Sequence, residues 1–162
     1  MRRWIACLTV ACLLLESVAG AAVRGKAAKY VGGTVAGLSA GTNGFLELGD
    51  SAAVFQAKKG AKVSIPYNRI ESLEYGQKVG RRVGAALGTA MVISPVFLLL
   101  LFSKKRKHFL TIGFTDDAGA KQGAVFELAK GVVHETLTSL EAKSGKKVEY
   151  ESDEAQKYAE KR

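Results

Sequence analysis

Side chains with reactive chemistry are few in this 162-residue chain and lie far apart. A nucleophile with its base, or a metal cage, needs Cys, His, Asp or Glu at spacings that let them converge. The two cysteines, Cys7 and Cys12, both fall in the first 21 residues, a stretch that reads as a leader. His108 follows a basic run. His134-Glu135 lacks the second histidine that a zinc protease helix carries four positions on. Asp116-Asp117-Ala118-Gly119 has turn chemistry, and Glu71 and Glu74 read as the solvent face of a strand. The glycines show neither the phosphate-loop spacing nor its Lys-Ser pair. No catalytic residue, cofactor or metal is expected.

The elements around these residues point to a membrane. Residues 83–102, VGAALGTAMVISPVFLLLLF, carry no charge. Twenty helical residues rise about 30 Å, the thickness of a bilayer's hydrocarbon core. Val83, Leu87, Met91, Val92, Ile93, Val96, Phe97, Leu98, Leu99, Leu100, Leu101 and Phe102 are the residues expected to enter lipid. Arg81, Arg82, Lys104, Lys105, Arg106 and Lys107 flank them and are expected to face headgroups. Gly76, Gly80, Gly84 and Gly88 fall four apart, a small-residue stripe that on a helix would let a second copy approach closely. Ser94-Pro95 marks a kink or break.

Residues 1–21 have the order of a secretory signal peptide. Met1-Arg2-Arg3 is basic, residues 5–15 are apolar, and Ser17-Val18-Ala19-Gly20-Ala21 is small, with cleavage expected after Ala21. An uncleaved anchor would have to bury Glu16, and Thr9-Val10-Ala11 before Cys12 is a poor lipobox. The formal charge of +9 points to an anionic neighbour. Export makes that neighbour lipid or protein, and no nucleic acid is expected.

The remaining sequence reads mainly as β. Short segments with period-two alternation, 30–38, 45–48, 53–58, 62–66 and 69–79, precede the apolar stretch, and 108–115 and 124–130 follow it. Asn43-Gly44, Gly49-Asp50 and Lys59-Gly60 read as turns. Residues 132–143 place Val133, Leu137 and Leu140 at helical spacing, and Gly145 supplies a stop. Residues 146–162 are highly charged and read as a solvated, flexible tail with a frayed helix after Ser152.

The junction Ile65-Pro66-Tyr67-Asn68-Arg69-Ile70-Glu71-Ser72-Leu73, in a chain of seven strands and a helix, resembles that of bacterial PH-like (pleckstrin homology, GRAM-like) domains. The resemblance covers about 29–145. It implies an α+β fold: a seven-stranded antiparallel barrel or sandwich, one C-terminal helix, and an apolar helical insertion at 80–103 between strands five and six. Residues 22–145 would be that domain. The loop Ser39-Ala40-Gly41-Thr42-Asn43 is neutral, so phosphoinositide binding does not follow.

Three arrangements of the insertion stay open. A one-sided hairpin keeps the barrel whole, a single span divides it into small domains on either side, and a helix could pack on the barrel itself. The first is favoured because a divided sheet exposes unpaired edges. The functional expectation is an exported, membrane-associated interaction or scaffold module of the bacterial envelope, with membrane lipids, a second copy or another protein as partners. A lipid-binding or lipid-sensing role is the alternative.

Overall fold

The computed structural model describes residues 25–77 and 107–161. Eight strands form one sheet: β1 (Lys26–Gly33), β2 (Thr42–Leu48), β3 (Ala52–Ala57), β4 (Lys62–Pro66), β5 (Ile70–Gly76), β6 (His108–Thr115), β7 (Lys121–Leu128) and β8 (Val148–Tyr150). Their order across the sheet is β4-β3-β2-β1-β7-β6-β5-β8. Seven strands run in antiparallel ladders, and β8 lies parallel to β5 with Leu73 opposite Val148. Helix α1 (Val133–Ser144) and helix α2 (Asp153–Glu160) complete the chain.

This corrects the expected seven-stranded PH-like antiparallel barrel or sandwich. The fold is a single open, mixed sheet, ending on β4 at one side and β8 at the other. Two features of the chain account for it. Residues 65–73 turn through a short 3-10 segment, Tyr67–Arg69, so β5 leaves β4 and pairs with β6 instead. Residues 148–150, expected in a solvated tail, supply an eighth strand on the far edge. Glu141 Oε1 accepts a hydrogen bond from the Val148 amide at 2.7 Å, which seats that strand beneath the end of α1.

The expected transmembrane helix has no counterpart among the described residues, whose helices are too short or too polar to cross a membrane. The segment assigned to it, 80–103, lies outside the described residues, as does the leader at 1–21. The described strands on either side of it nevertheless form one ladder. Gly76 pairs with Phe109, Tyr75 with Leu110 and Leu73 with Ile112. The Lys107 amide donates to the Gln77 carbonyl at 3.4 Å, so the two flanks meet at one corner of the sheet.

Core packing follows from alternation. Tyr30, Phe55 and Phe126 meet as an aromatic trio, with Phe55 and Phe126 centroids 5.1 Å apart. Leu46, Ile65, Leu73, Leu110 and Ile112 join them, and α1 adds Val133, Leu137 and Leu140. Gly145, at φ 68°, ends α1 in the left-handed conformation that glycine enters without steric cost. Asn43-Gly44 lies inside β2 and forms no turn. A Cβ on Gly44 would stand 2.7 Å from the Phe55 ring, so this glycine makes room for the core.

Candidate functional site

At the corner where the chain leaves for residue 78, the core face turns polar. Tyr75 on β5, His108 on β6 and Tyr150 on β8 point to the same face, because each lies an even step from a core neighbour or opposite one in register. Tyr75 Oη and His108 Nδ1 are 2.7 Å apart and both residues are buried. The α2 helix closes over them. Tyr158 stacks on His108 with centroids 4.5 Å apart and a 19° tilt. Lys130 lies over the other part of this group, 5.8 Å from the Tyr158 ring.

The protonation of this cluster follows from its packing. Burial, then the Lys130 charge, hold the His108 imidazole below its ordinary value, with Glu127 opposing them. Burial, then Tyr158, push the Tyr75 phenol well above its ordinary range, and a side-chain hydrogen bond from Gln77 opposes the rise. Both groups are therefore neutral at pH 7. With His108 neutral, Tyr75 donates to Nδ1 and the imidazole proton sits on Nε2.

A second histidine holds the same helix. The Nδ1–H of His134, at the start of α1, donates to the Ala159 carbonyl at 2.7 Å. Ser152 caps the other end by accepting from the Ala155 amide at 3.2 Å, with Asp153 and Glu154 in the first turn. Ala155 and Ala159 are buried in the core cluster. The residues expected to form a frayed helix are thus held by two histidines and a cap.

This arrangement ties β5, β6, β8 and α2 together at one corner of the sheet. His108 and Tyr75 are buried, and among the described residues no Ser or carboxylate is hydrogen-bonded to either. Among the described residues no three His, Cys, Asp or Glu side chains gather as a metal site. The carboxylates singled out by sequence are engaged locally. Asp116 accepts from the amides of Ala118 and Ala120 and from Gln122, Asp117 pairs with Arg69, and Glu71 accepts from Thr115. Those hydrogen bonds, Gln122 first for Asp116 and Thr115 first for Glu71, keep both carboxyls below their usual range. Between β4 and β5, Tyr67 Oη donates to the Gly49 carbonyl at 2.9 Å.

Of the residues expected to meet lipid or pack helices, two are described. Gly76 ends β5 in extended backbone, so the glycine stripe cannot start there on a helix. Lys107 Nζ lies 3.0 Å from Glu127 Oε2, and that ion pair ties the returning chain to β7. Gly80, Gly84, Gly88, Arg81, Arg82, Lys104, Lys105, Arg106 and the twelve apolar residues lie outside the described residues. Sequence reasoning noted both histidines and missed Tyr75, Tyr150 and Tyr158. Alternation from Leu73 would have placed Tyr75 on the core face.

No protein-family model matches the chain, and no curated protein matches it.

Proposed function

We propose that the chain is a non-enzymatic, exported interaction module, attached from one side to a membrane of the bacterial envelope through residues 83–102. Arg81, Arg82, Lys104, Lys105 and Arg106 would meet anionic headgroups, and a protein partner, a second copy included, would be held at that surface. One observation carries the reading: both flanks of the uncharged segment emerge at the same corner, where Gly76 pairs with Phe109 and Lys107 bonds to Gln77. A single crossing would pull β5 from β6 and β1 from β7, leaving open edges on both sides. The packing of Leu110, Ile112 and Phe126, which have no exposed surface, favours a module with a filled core over one that takes lipid inside the sheet.

The test uses exposed positions before and after the segment. Lys62→Cys and Lys121→Cys, each in a Cys7→Ser/Cys12→Ser chain, should react with an impermeant thiol reagent from the same side of sealed membranes. Labelling from opposite sides, or recovery of all the protein without membrane, would contradict the proposal.

A further inference from the structure

Helix α2 cannot stand by itself. An isolated helix shorter than about 12–15 residues is marginal in water, and α2 has eight residues, of which only Ala155 and Ala159 are buried. Each brings a single methyl group to the core, so apolar burial holds the helix weakly. Its remaining attachments converge on two histidines: Tyr158 stacks on His108, and His134 Nδ1 bonds to the Ala159 carbonyl. The chain before it is anchored independently. The Glu151 amide donates to the Tyr75 carbonyl at 2.9 Å, and the Val148 amide donates to Glu141. Ser152, in extended backbone at φ −156° and ψ 162°, is therefore the joint between a fixed β8 and the helix.

One proton changes the seat beneath Tyr158. His108 is buried between that ring and Tyr75, whose ring lies parallel to it within 3°. Titratable or charged groups face it from each packed element: Tyr75 on β5, Glu127 on β7, Lys130 in the link before α1, and Tyr158 on α2. When His108 is neutral, its Nδ1 accepts the Tyr75 hydroxyl proton. When it is protonated, Nδ1 is a donor, that bond must be remade, and a second cation stands near Lys130 in a corner closed to water. Glu127 offsets part of this cost, but its carboxylate is already paired with Lys107. The Tyr158 ring attracts an imidazolium, but it already carries the Lys130 ammonium at 5.8 Å. His134 acts in the opposite direction, because a positive charge suits a helix C-terminus. It is exposed, so water screens its charge, whereas His108 is buried.

We infer that α2 is a latch on the tyrosine–histidine corner, closed while His108 is neutral and released about Ser152 when His108 takes up a proton, with the sheet and β8 left in place. The sign follows from linkage. Burial, then Lys130, hold the closed-state His108 below its ordinary value, so the open state binds the proton more tightly. The contribution of His108 to closure is complete above about pH 6.5 and declines as pH falls toward the lowered closed-state value. Release uncovers His108 and Tyr75.

Amide hydrogen exchange in the full chain, resolved by residue and corrected for the intrinsic rate at each pH, tests this. At pH 7.5 amides 156–160 should already be less protected than those of Leu110 and Phe126, because the latch opens without the sheet. By pH 5.5 their protection should fall several-fold, to a ceiling of about tenfold set by a histidine that titrates near 6.5 when open. Circular dichroism should still report a folded sheet. His108→Gln should flatten this dependence, and His134→Gln should leave it in place. Should His108→Gln leave α2 unprotected already at pH 7.5, Lys130→Gln decides: a helix closed at pH 7.5 with a shallower fall supports the latch. Equal protection of α2 and the sheet core at both pH values, no fall by pH 5.5, a fall that is lost in His134→Gln, or one undiminished in both His108→Gln and Lys130→Gln would each overturn the inference.

Discussion

Strands β3 and β6 lie in the same sheet and obey different rules. In β3, Ala53, Phe55 and Ala57 are buried while Ala52, Val54 and Gln56 are half-buried, the alternation of a sheet with one covered face. In β6 the alternation vanishes, and seven consecutive residues are buried. The difference is one of cover. Both strands give one side to the common core, but β6, with parts of β7 and β1, is buried on its other side as well. The half of the sheet that touches the uncharged segment's return point is the half buried twice.

Mutations can break or sharpen this contrast. The largest effect is expected on the shared face, where Phe126→Ala should lower unfolding free energy by about 3–5 kcal/mol, measured by urea titration. A loss below about 0.5 kcal/mol, the range of surface sites, would mean the core side has been misassigned. The sharpest contrast uses one chemical change at two places. Val125→Thr buries a hydroxyl and should cost about 1–3 kcal/mol, whereas Val54→Thr on the half-covered side should stay within about 0.5 kcal/mol. Equal effects at the two positions would erase the distinction.

Acid should act on the tyrosine–histidine corner. Because the folded-state value of His108 lies below the ordinary 6.5, the unfolded chain takes up its proton first as pH falls. Its contribution to stability is complete above about pH 6.5, declines from there to the lowered folded value, and is level below that. His108→Gln should remove that part of the slope in unfolding midpoints measured from pH 7.5 to 5. An unchanged slope would assign the pH response elsewhere. The smallest effect is expected at Tyr30, whose buried hydroxyl has at most a marginal bond to the Val35 backbone among the described residues. Tyr30→Phe should be neutral or stabilising by up to about 1 kcal/mol, since removing an unsatisfied group removes its desolvation cost.

What was legible in the sequence was local. Period-two alternation located β4 and β6 at their observed bounds and β2, β3, β5 and β7 within about three residues, because side chains on a pleated strand must divide between two faces; it set β1 four to five residues late and missed β8. Closure was not legible. Whether β4 meets β5 depends on the turn at Tyr67–Arg69, and whether the far edge is free depends on three residues, Val148–Tyr150, whose pairing partner is 75 positions away in Leu73's case. The tail read as solvated because lysine and glutamate dominate it; its anchors are two alanines and two tyrosines, and only burial of Ala155 and Ala159 against a distant sheet makes them core. Asn43-Gly44 carried the composition of a turn, and the Phe55 ring across the ladder put it in a strand instead. The histidines stood out by chemical type. Their roles came from partners that no local pattern names.

Thiol protection at position 125 tests the double burial most directly. In the Cys7→Ser/Cys12→Ser chain, Val125→Cys should resist a small maleimide under native conditions while Val54→Cys reacts. Ready labelling of position 125 in the full chain would contradict burial on both faces of this half of the sheet.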